Sequence, residues 1–185
     1  HDISSLSPIQ VIDLRQKLDV HLSGVLPPNP VTSFAHFGFD EPLLKEIRKS
    51  DFAQPTPIQA QGIPALLAGR DVIGIAKTGS GKTAAFLWPM LVHIMDQPQL
   101  RKGDGPIGLI LVPTRELALQ IYAEAKKFGK VYNLQVNKIK SRVEYSPSKP
   151  KKINFTDCNG LSYSHIGCYF FYYLTYCSFS VCALK

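Results

Sequence analysis

Apolar positions in the first seventy residues recur three and four apart, the spacing that builds one face of a helix. "SPIQVIDLRQKLDVHLSG" (7–24) opens on a Ser cap with Pro at the first helical position and closes on Gly, which predicts a short amphipathic helix. "LPPNPVTS" (26–33) predicts an extended linker, because three prolines within four residues remove donors and bias their neighbours away from helix. "DEPLLKEIRKS" (40–50) predicts a second helix, capped by Asp40 and ordered acidic to basic as the helix dipole favours. "TPIQAQGIPALLAG" (56–69) predicts a third, with Thr56 as cap, Pro57 in the first turn and Gly69 as the stop.

Beyond residue 70 the pattern becomes short apolar runs alternating with helices. "DVIGIA" (71–76) predicts a buried strand running into a glycine loop, and "GKTAAFLWPMLVHIMDQ" (81–97) a helix kinked at Pro89. After a polar connector (97–106), "IGLILVP" (107–113) predicts a second strand, nearly all apolar as strands covered on both faces are. "TRELALQIYAEAKKFGK" (114–130) predicts a helix and "LQVNKI" (134–139) a third strand. Alternating strands and helices imply an α/β fold on a parallel sheet.

Near residue 140 this grammar stops. "KSRVEYSPSKPKKINF" is polar, basic and aperiodic, and "IGCYFFYYLTYCSFSVCAL" (166–184) is nineteen uncharged residues crowded with aromatics. Its length permits a membrane span, but four Tyr, three Ser/Thr and one Gly make it a poor one, and the expectation is no membrane. The chain therefore reads as three segments: helix and linker (1–33), the α/β portion (34–139) and a divergent tail (140–185).

Composition sharpens that division. The 185 residues are 45% hydrophobic and 19% charged, a globular balance with length enough for one domain and its core. The net charge of +7 is uneven: residues 1–136 carry 14 Lys/Arg against 12 Asp/Glu, and residues 137–185 carry 7 against 2. Net charge is accordingly weak evidence for a nucleic-acid partner of the α/β portion. All four cysteines (Cys158, Cys168, Cys177, Cys182) fall in the tail without a C-x-x-C pair, a spacing that suits incidental cysteines better than zinc. The chain starts at His1 with no basic-then-apolar leader, as an internal fragment would.

"AKTGSGKT" (76–83), between a predicted strand and a predicted helix, is where chemistry enters. Gly79 and Gly81 let the backbone wrap so that N–H groups face phosphate oxygens, and the following helix adds its positive end. Thr78 and Ser80 complete the wrap. Lys82 would reach the outer phosphates and the Thr83 hydroxyl would meet Mg²⁺ held by the nucleotide, while Lys77 points outward. The common pattern begins with Gly, where this sequence has Ala76.

"FAHFGFDEPLLKEIRKSDFAQPTPIQ", then "AKTGSGKT", then "PTRELA" together resemble the N-terminal ATPase domain of a DEAD-box RNA helicase over residues 34–136. "DLRQKLDVHLSGVLPPNP" resembles the lead-in of the splicing-associated subfamily linked to branch-site recognition. The resemblance implies a RecA-like P-loop fold, a three-layer sandwich on a parallel sheet, incomplete in this chain. "FAQPTPIQ" is similar to the family's Q motif, in which Gln59 would hydrogen-bond the adenine edge and Phe34 would stack on its face; Phe52 and Pro55 join them in the ATP site. The motif's first position is commonly Gly but is Asp51 here, a departure of little weight if the backbone there is unstrained. "PTRELA" (113–118) is similar to an RNA-contacting motif, in which Pro113, Thr114 and Arg115 would meet phosphate oxygens and position RNA without reading its sequence.

Other family parts are not in these residues. No apolar strand after the loop ends in Asp-Glu, and the one such pair is Asp40-Glu41. The acidic motif, the Ser-Ala-Thr motif and the second domain with its arginine finger do not follow, so ATP hydrolysis and unwinding are not expected of this chain. The strands flanking 71–76 in the family fold also come later, so a single cooperative unit is not expected. At position 137 the sequence leaves the family pattern, through a retained intron, a frameshift, a mis-joined gene model or a novel C-terminal module.

The implied parent is a nuclear helicase, with the cytoplasm as a second compartment, that remodels RNA with ATP, monomeric and meeting spliceosomal proteins. Two alternatives stand beside it. One is a non-catalytic isoform that holds ATP or RNA and competes with the full-length protein. The other is a small nucleotide kinase or GTPase, disfavoured because no guanine-reading Asn-Lys-x-Asp follows.

Overall fold

The computed structural model describes residues 6–101, 106–112 and 114–139, together with strand residues 155–156, 162–163 and 180–184. The chain divides into two compact units, His1–His93 and Ile94–Lys185.

The first unit is helical. Helix α1 (Pro8–Lys17) starts as expected, with Ser7 accepting from the Gln10 amide at 3.3 Å and the Gln10 side chain accepting from the Ser7 amide at 2.8 Å. It ends well before Gly24. Asp19 turns left-handed (φ 51°), and the Val20 and Asp19 amides close on the carbonyls of Arg15 and Gln16. Helix α2 (Glu41–Lys49) has Asp40 as cap, accepting from the Leu43 amide at 3.2 Å. Helix α3 (Pro57–Leu67) stops at Gly69, whose φ of 70° is the left-handed conformation a C-terminal cap requires. Pro64 inside α3 has no N–H to give the Ala60 carbonyl, and the Val31 amide of the Pro-rich segment takes that acceptor at 2.8 Å. Helix α4 (Lys82–Met95) contains Pro89 and leads out of the glycine loop. Leu43 and Ile47 of α2, Ile63 of α3 and Leu87, Trp88 and Leu91 of α4 are fully buried and make the core.

The predicted strand 71–76 is not a strand. Residues 71–77 belong to no helix or strand, and the side chains of Ile73 and Ile75 are 90% and 93% exposed. The period-two alternation survives, with Val72, Gly74 and Ala76 half-covered. A strand exists only by pairing, and no described strand pairs with this segment, so the apolar sequence is extended but unladdered.

In the second unit, β1 (Gly108–Val112) leads into helix α5 (Arg115–Gly129), and β2 (Val136–Ile139) follows a turn at Asn133 (φ 55°). β3 (Phe155–Thr156) and β4 (Ser162–Tyr163) pair antiparallel. The tail strand β5 (Ser180–Leu184) lies between β1 and β2, antiparallel to both, with Ile110 opposite Cys182 and Val136 opposite Leu184. β1 and β2 thus run in the same direction, as a parallel sheet requires, but the pairing between them is supplied by the divergent tail. The pattern of the tail gave no reason to expect this, since a five-residue uncharged run does not encode its partner. Ile110 and Val112 of β1 are buried, as are Ala118, Ile121, Ala125 and Phe128 of α5. The other tail residues, the cysteines before Cys182 among them, lie outside the described residues, as does most of the candidate span 166–184. Among the described residues no helix is long and apolar enough to cross a membrane, and no His, Cys, Asp and Glu gather as metal ligands.

Candidate nucleotide site and RNA-contacting motif

The glycine loop is built against the N-terminal turn of α3. Thr56 was expected only to cap that helix, yet its hydroxyl donates to the Ser80 carbonyl at 2.8 Å. Gln59, fully buried, accepts from the Thr56 amide through Oε1 at 3.0 Å and donates from Nε2 to the Gly81 carbonyl at 3.2 Å. Two side chains one helical turn apart therefore hold successive carbonyls of the loop. The fit is tight: a Cβ on Gly81 would lie 2.4 Å from Gln59 Nε2 and 3.3 Å from Thr56 Oγ1. Gly81 (φ 80°) and Gly79 (φ 77°) both adopt the left-handed backbone that only glycine takes freely, though nothing crowds Gly79.

Lys82, the first residue of α4, folds its ammonium back into the loop, donating to the carbonyls of Ala76 and, at 2.6 Å, Lys77. Thr83 is half-buried in the same turn, while Lys77, Thr78 and Gly79 are exposed. The first-turn amides of α4 have no helical acceptor and face the loop side by helix geometry. Ser80 Oγ is buried and has no hydrogen-bond partner. An orphaned hydroxyl beside a glycine cradle, a helix N-terminus and a lysine is a donor set for phosphate oxygens, so the residues present fit a nucleotide. For Mg²⁺ the loop offers Thr83 as ligand, the remainder of the shell being phosphate and water in such sites.

The aromatic residues near the loop form one cluster. Phe34 and Phe52 both meet Trp88 edge-on, with ring centroids 5.6 and 5.0 Å away, and lie 6.4 Å from each other. Phe37 and Phe39 extend the cluster. Phe34 remains half-exposed, so one part of its ring is packed and another open. Pro55 is half-buried just before Thr56. Trp88, which the sequence did not single out, joins the segment carrying the Q-motif residues to the helix that leaves the loop. Asp51 has φ 59°, so the condition under which its departure from Gly carries little weight is not met: its backbone is left-handed.

In the second unit, Thr114 caps α5, accepting from the Leu117 amide at 3.3 Å, and its hydroxyl proton remains available to an acceptor. Thr114, Arg115 and Glu116 are exposed at the end of β1. Pro113 lies outside the described residues.

These features define the class. The family model for DEAD/DEAH box helicases matches residues 56–162, more than half of the chain, and the chain belongs to that family. The match runs past residue 139 into the tail. Among individual relatives, the "ATP-dependent RNA helicase DDX42" of Homo sapiens is 66% identical over 134 residues, covering 72% of this chain and 14% of that protein. The probable ATP-dependent RNA helicase ddx42 of Dictyostelium discoideum is 58% identical over 134 residues, with the same shares covered. Among solved structures, the RNA helicase Prp28 from Chaetomium thermophilum bound to ADP superposes with a TM-score of 0.66 at 39% identity, over 71% of this chain and 32% of that one. The yeast DEAD-box splicing factor Prp28 gives 0.64 at 33% identity, again over 71% and 32%. The fold is accordingly the RecA-like P-loop α/β fold, present in part.

Proposed function

We propose that this chain is the ATP-holding and RNA-contacting portion of a DEAD-box RNA helicase, and that it binds adenine nucleotide with Mg²⁺ without hydrolysing it. The carrying observation is the loop: two glycines in left-handed conformation, Lys82 folded inside, and the buried Ser80 hydroxyl unpartnered. That the Chaetomium thermophilum neighbour is described as bound to ADP supports the choice of nucleotide. Adenine preference is assigned to Gln59. Each end of its carboxamide makes one bond here, leaving one N–H and one lone pair, the paired donor and acceptor that an adenine edge demands. The ammonium of Lys82 and the amides of the α4 first turn hold the phosphates, and Thr83 orients the metal ion.

Thr114 and Arg115 contact RNA backbone, sequence-independently. The relatives named as ATP-dependent RNA helicases support that activity as the parent reaction. Because the chain spans 14% of such relatives, that activity is proposed for the parent protein, with a role in nuclear pre-mRNA splicing alongside spliceosomal proteins. The complete burial of Gln59 favours a second reading, in which it only clamps the loop and reads no base.

Titration of fluorescent ADP and GDP decides between them. Adenine preference should be about fivefold or more, since one bidentate base contact is worth roughly 1–3 kcal/mol. Lys82→Ala should weaken binding strongly and Lys77→Ala little. Equal ADP and GDP affinities remove the base-reading role, and equal damage from the two lysine changes removes the loop assignment.

A further inference from the structure

We infer that the lead-in, residues 8–31, is a positioning element of the nucleotide site, locked by Arg15 and Gln61 to the face of α3 opposite Gln59. This deepens the proposed function and rests on it. Gln59 and Gln61 are the two buried polar residues among those described, and both lie on α3. Two positions apart on a helix is a rotation of about 200°, so they leave α3 on opposite sides. One grips the phosphate loop. The other grips the lead-in.

The grip on the lead-in engages both ends of the Gln61 carboxamide. Gln61 Nε2 donates to the Pro28 carbonyl at 2.8 Å, and its Oε1 accepts from Arg15 Nε at 3.1 Å. The same guanidinium reaches the carbonyls of Pro28 and Pro27 at 3.1 and 3.4 Å. No carboxylate among the described residues pairs with Arg15, so its donors are spent on neutral oxygens held in fixed places by consecutive prolines. A flat fork of donors matches that arrangement and a lysine does not.

Three further contacts fix the register. The acceptor that Pro64 leaves open at Ala60 is filled by the Val31 amide, one residue beyond the last proline of the linker. Arg70, just past the end of α3, donates to the carbonyls of Val25 and Leu26 at 3.0 and 2.5 Å. Leu26 itself is left-handed (φ 43°), a conformation a branched apolar residue keeps only where its surroundings impose it. Arg70 at residues 25 and 26, Arg15 and Gln61 at 27 and 28, and the backbone bond at Val31 hold successive points of one strap, with the left-handed Leu26 among them. Thr56 and Gln59 ride on the helix that this strap holds, and they set the two carbonyls at Ser80 and Gly81. Arg15 and Gln61 are thus positioning residues for the loop, acting through α3.

The test uses the full 185-residue chain labelled with ¹⁵N-glutamine, comparing Arg15→Ala, Arg15→Lys, Gln61→Ala and the exposed control Lys17→Ala. Hydrogen exchange of the Gln59 side-chain carboxamide and the Kd for fluorescent ADP are read on each, with Trp88 emission as the check on the core. Arg15→Ala and Gln61→Ala should each speed Gln59 carboxamide exchange and raise the ADP Kd about fivefold to tenfold, the size of coupling between contacting groups. Arg15→Lys should recover part of the loss, the double variant should be no worse than either single one, and Lys17→Ala should match the parent. Unchanged Gln59 exchange in Arg15→Ala overturns the inference, as does a loss that only accompanies unfolding of the Trp88 core. If the parent chain binds no ADP, the proposed function fails, while Gln59 exchange still decides whether the strap positions the clamp.

Discussion

Substituting alanine at the two loop glycines separates backbone strain from the clamp. Gly79 and Gly81 have nearly the same φ, 77° and 80°, so either substitution incurs the left-handed penalty of an L residue, about 1–2 kcal/mol. Only at Gly81 does the new Cβ collide, 2.4 Å from Gln59 Nε2, where nothing lies within 4 Å at Gly79. Gln59 is fully buried and cannot swing into solvent, so relieving the contact breaks its bond to the Gly81 carbonyl. Leaving that buried amide unpaired costs roughly another 1–3 kcal/mol. Gly81→Ala should therefore destabilise the first unit by about 2–5 kcal/mol and Gly79→Ala by about 1–2. The assay is urea unfolding followed by the emission of Trp88, the single tryptophan, which is fully buried in that unit. In a Gln59→Ala background the main obstacle is gone and only Thr56 Oγ1 at 3.3 Å remains, so Gly81→Ala should cost little more than Gly79→Ala. Equal midpoints for the two glycine variants, or an undiminished Gly81→Ala effect without Gln59, would refute the clamp.

Two other outcomes follow from named geometry. Asp51→Gly removes left-handed strain but adds freedom to the unfolded chain, so it should be neutral or stabilising by up to about 1 kcal/mol, whereas Asp51→Val should cost more than about 1 kcal/mol by the same titration. For single-stranded RNA, log K falls with log salt by about 0.7 per phosphate contacted, so contact with one or two phosphates through Thr114 and Arg115 alone gives a slope of roughly 0.7 to 1.4. A steep slope that Lys149→Gln, Lys151→Gln and Lys152→Gln together abolish would assign RNA binding to the tail instead.

Local signals were legible in the sequence and non-local ones were not. Ser7, Asp40 and Gly69 announce helix ends because a cap is a short-range arrangement of a side chain or a left-handed residue with nearby amides. The end of α1 was misread because Asp19, not Gly24, takes the left-handed turn, and Asp does so without a unique signature. "DVIGIA" reads as a strand from composition alone, but a ladder needs a neighbour, and Ile73 and Ile75 stand exposed. Conversely β5 found two neighbours that its own residues do not specify. At the site, the loop and Gln59 were recognisable by type and spacing. Their mutual contact was not, since Thr56 spends its hydroxyl on a loop carbonyl twenty-four residues away. The resemblance implies a stacking role for Phe34 but says nothing of its packing on Trp88, which depends on where α4 lies. Among the described residues no strand pairs with 71–76, and amide exchange across 72–76 should be fast.

The central claim is that these residues hold ATP and do not hydrolyse it. Single-turnover incubation with γ-labelled ATP and Mg²⁺, with and without excess single-stranded RNA, reads binding and phosphate release in one sample. Saturable binding that Lys82→Ala abolishes, with no release above the protein-free rate in either condition, is the predicted result, since groups that position the attacking water and stabilise the spreading charge are worth orders of magnitude in this reaction and none is assigned among these 185 residues. RNA-stimulated release of phosphate, or no ATP retained at all, would contradict the account.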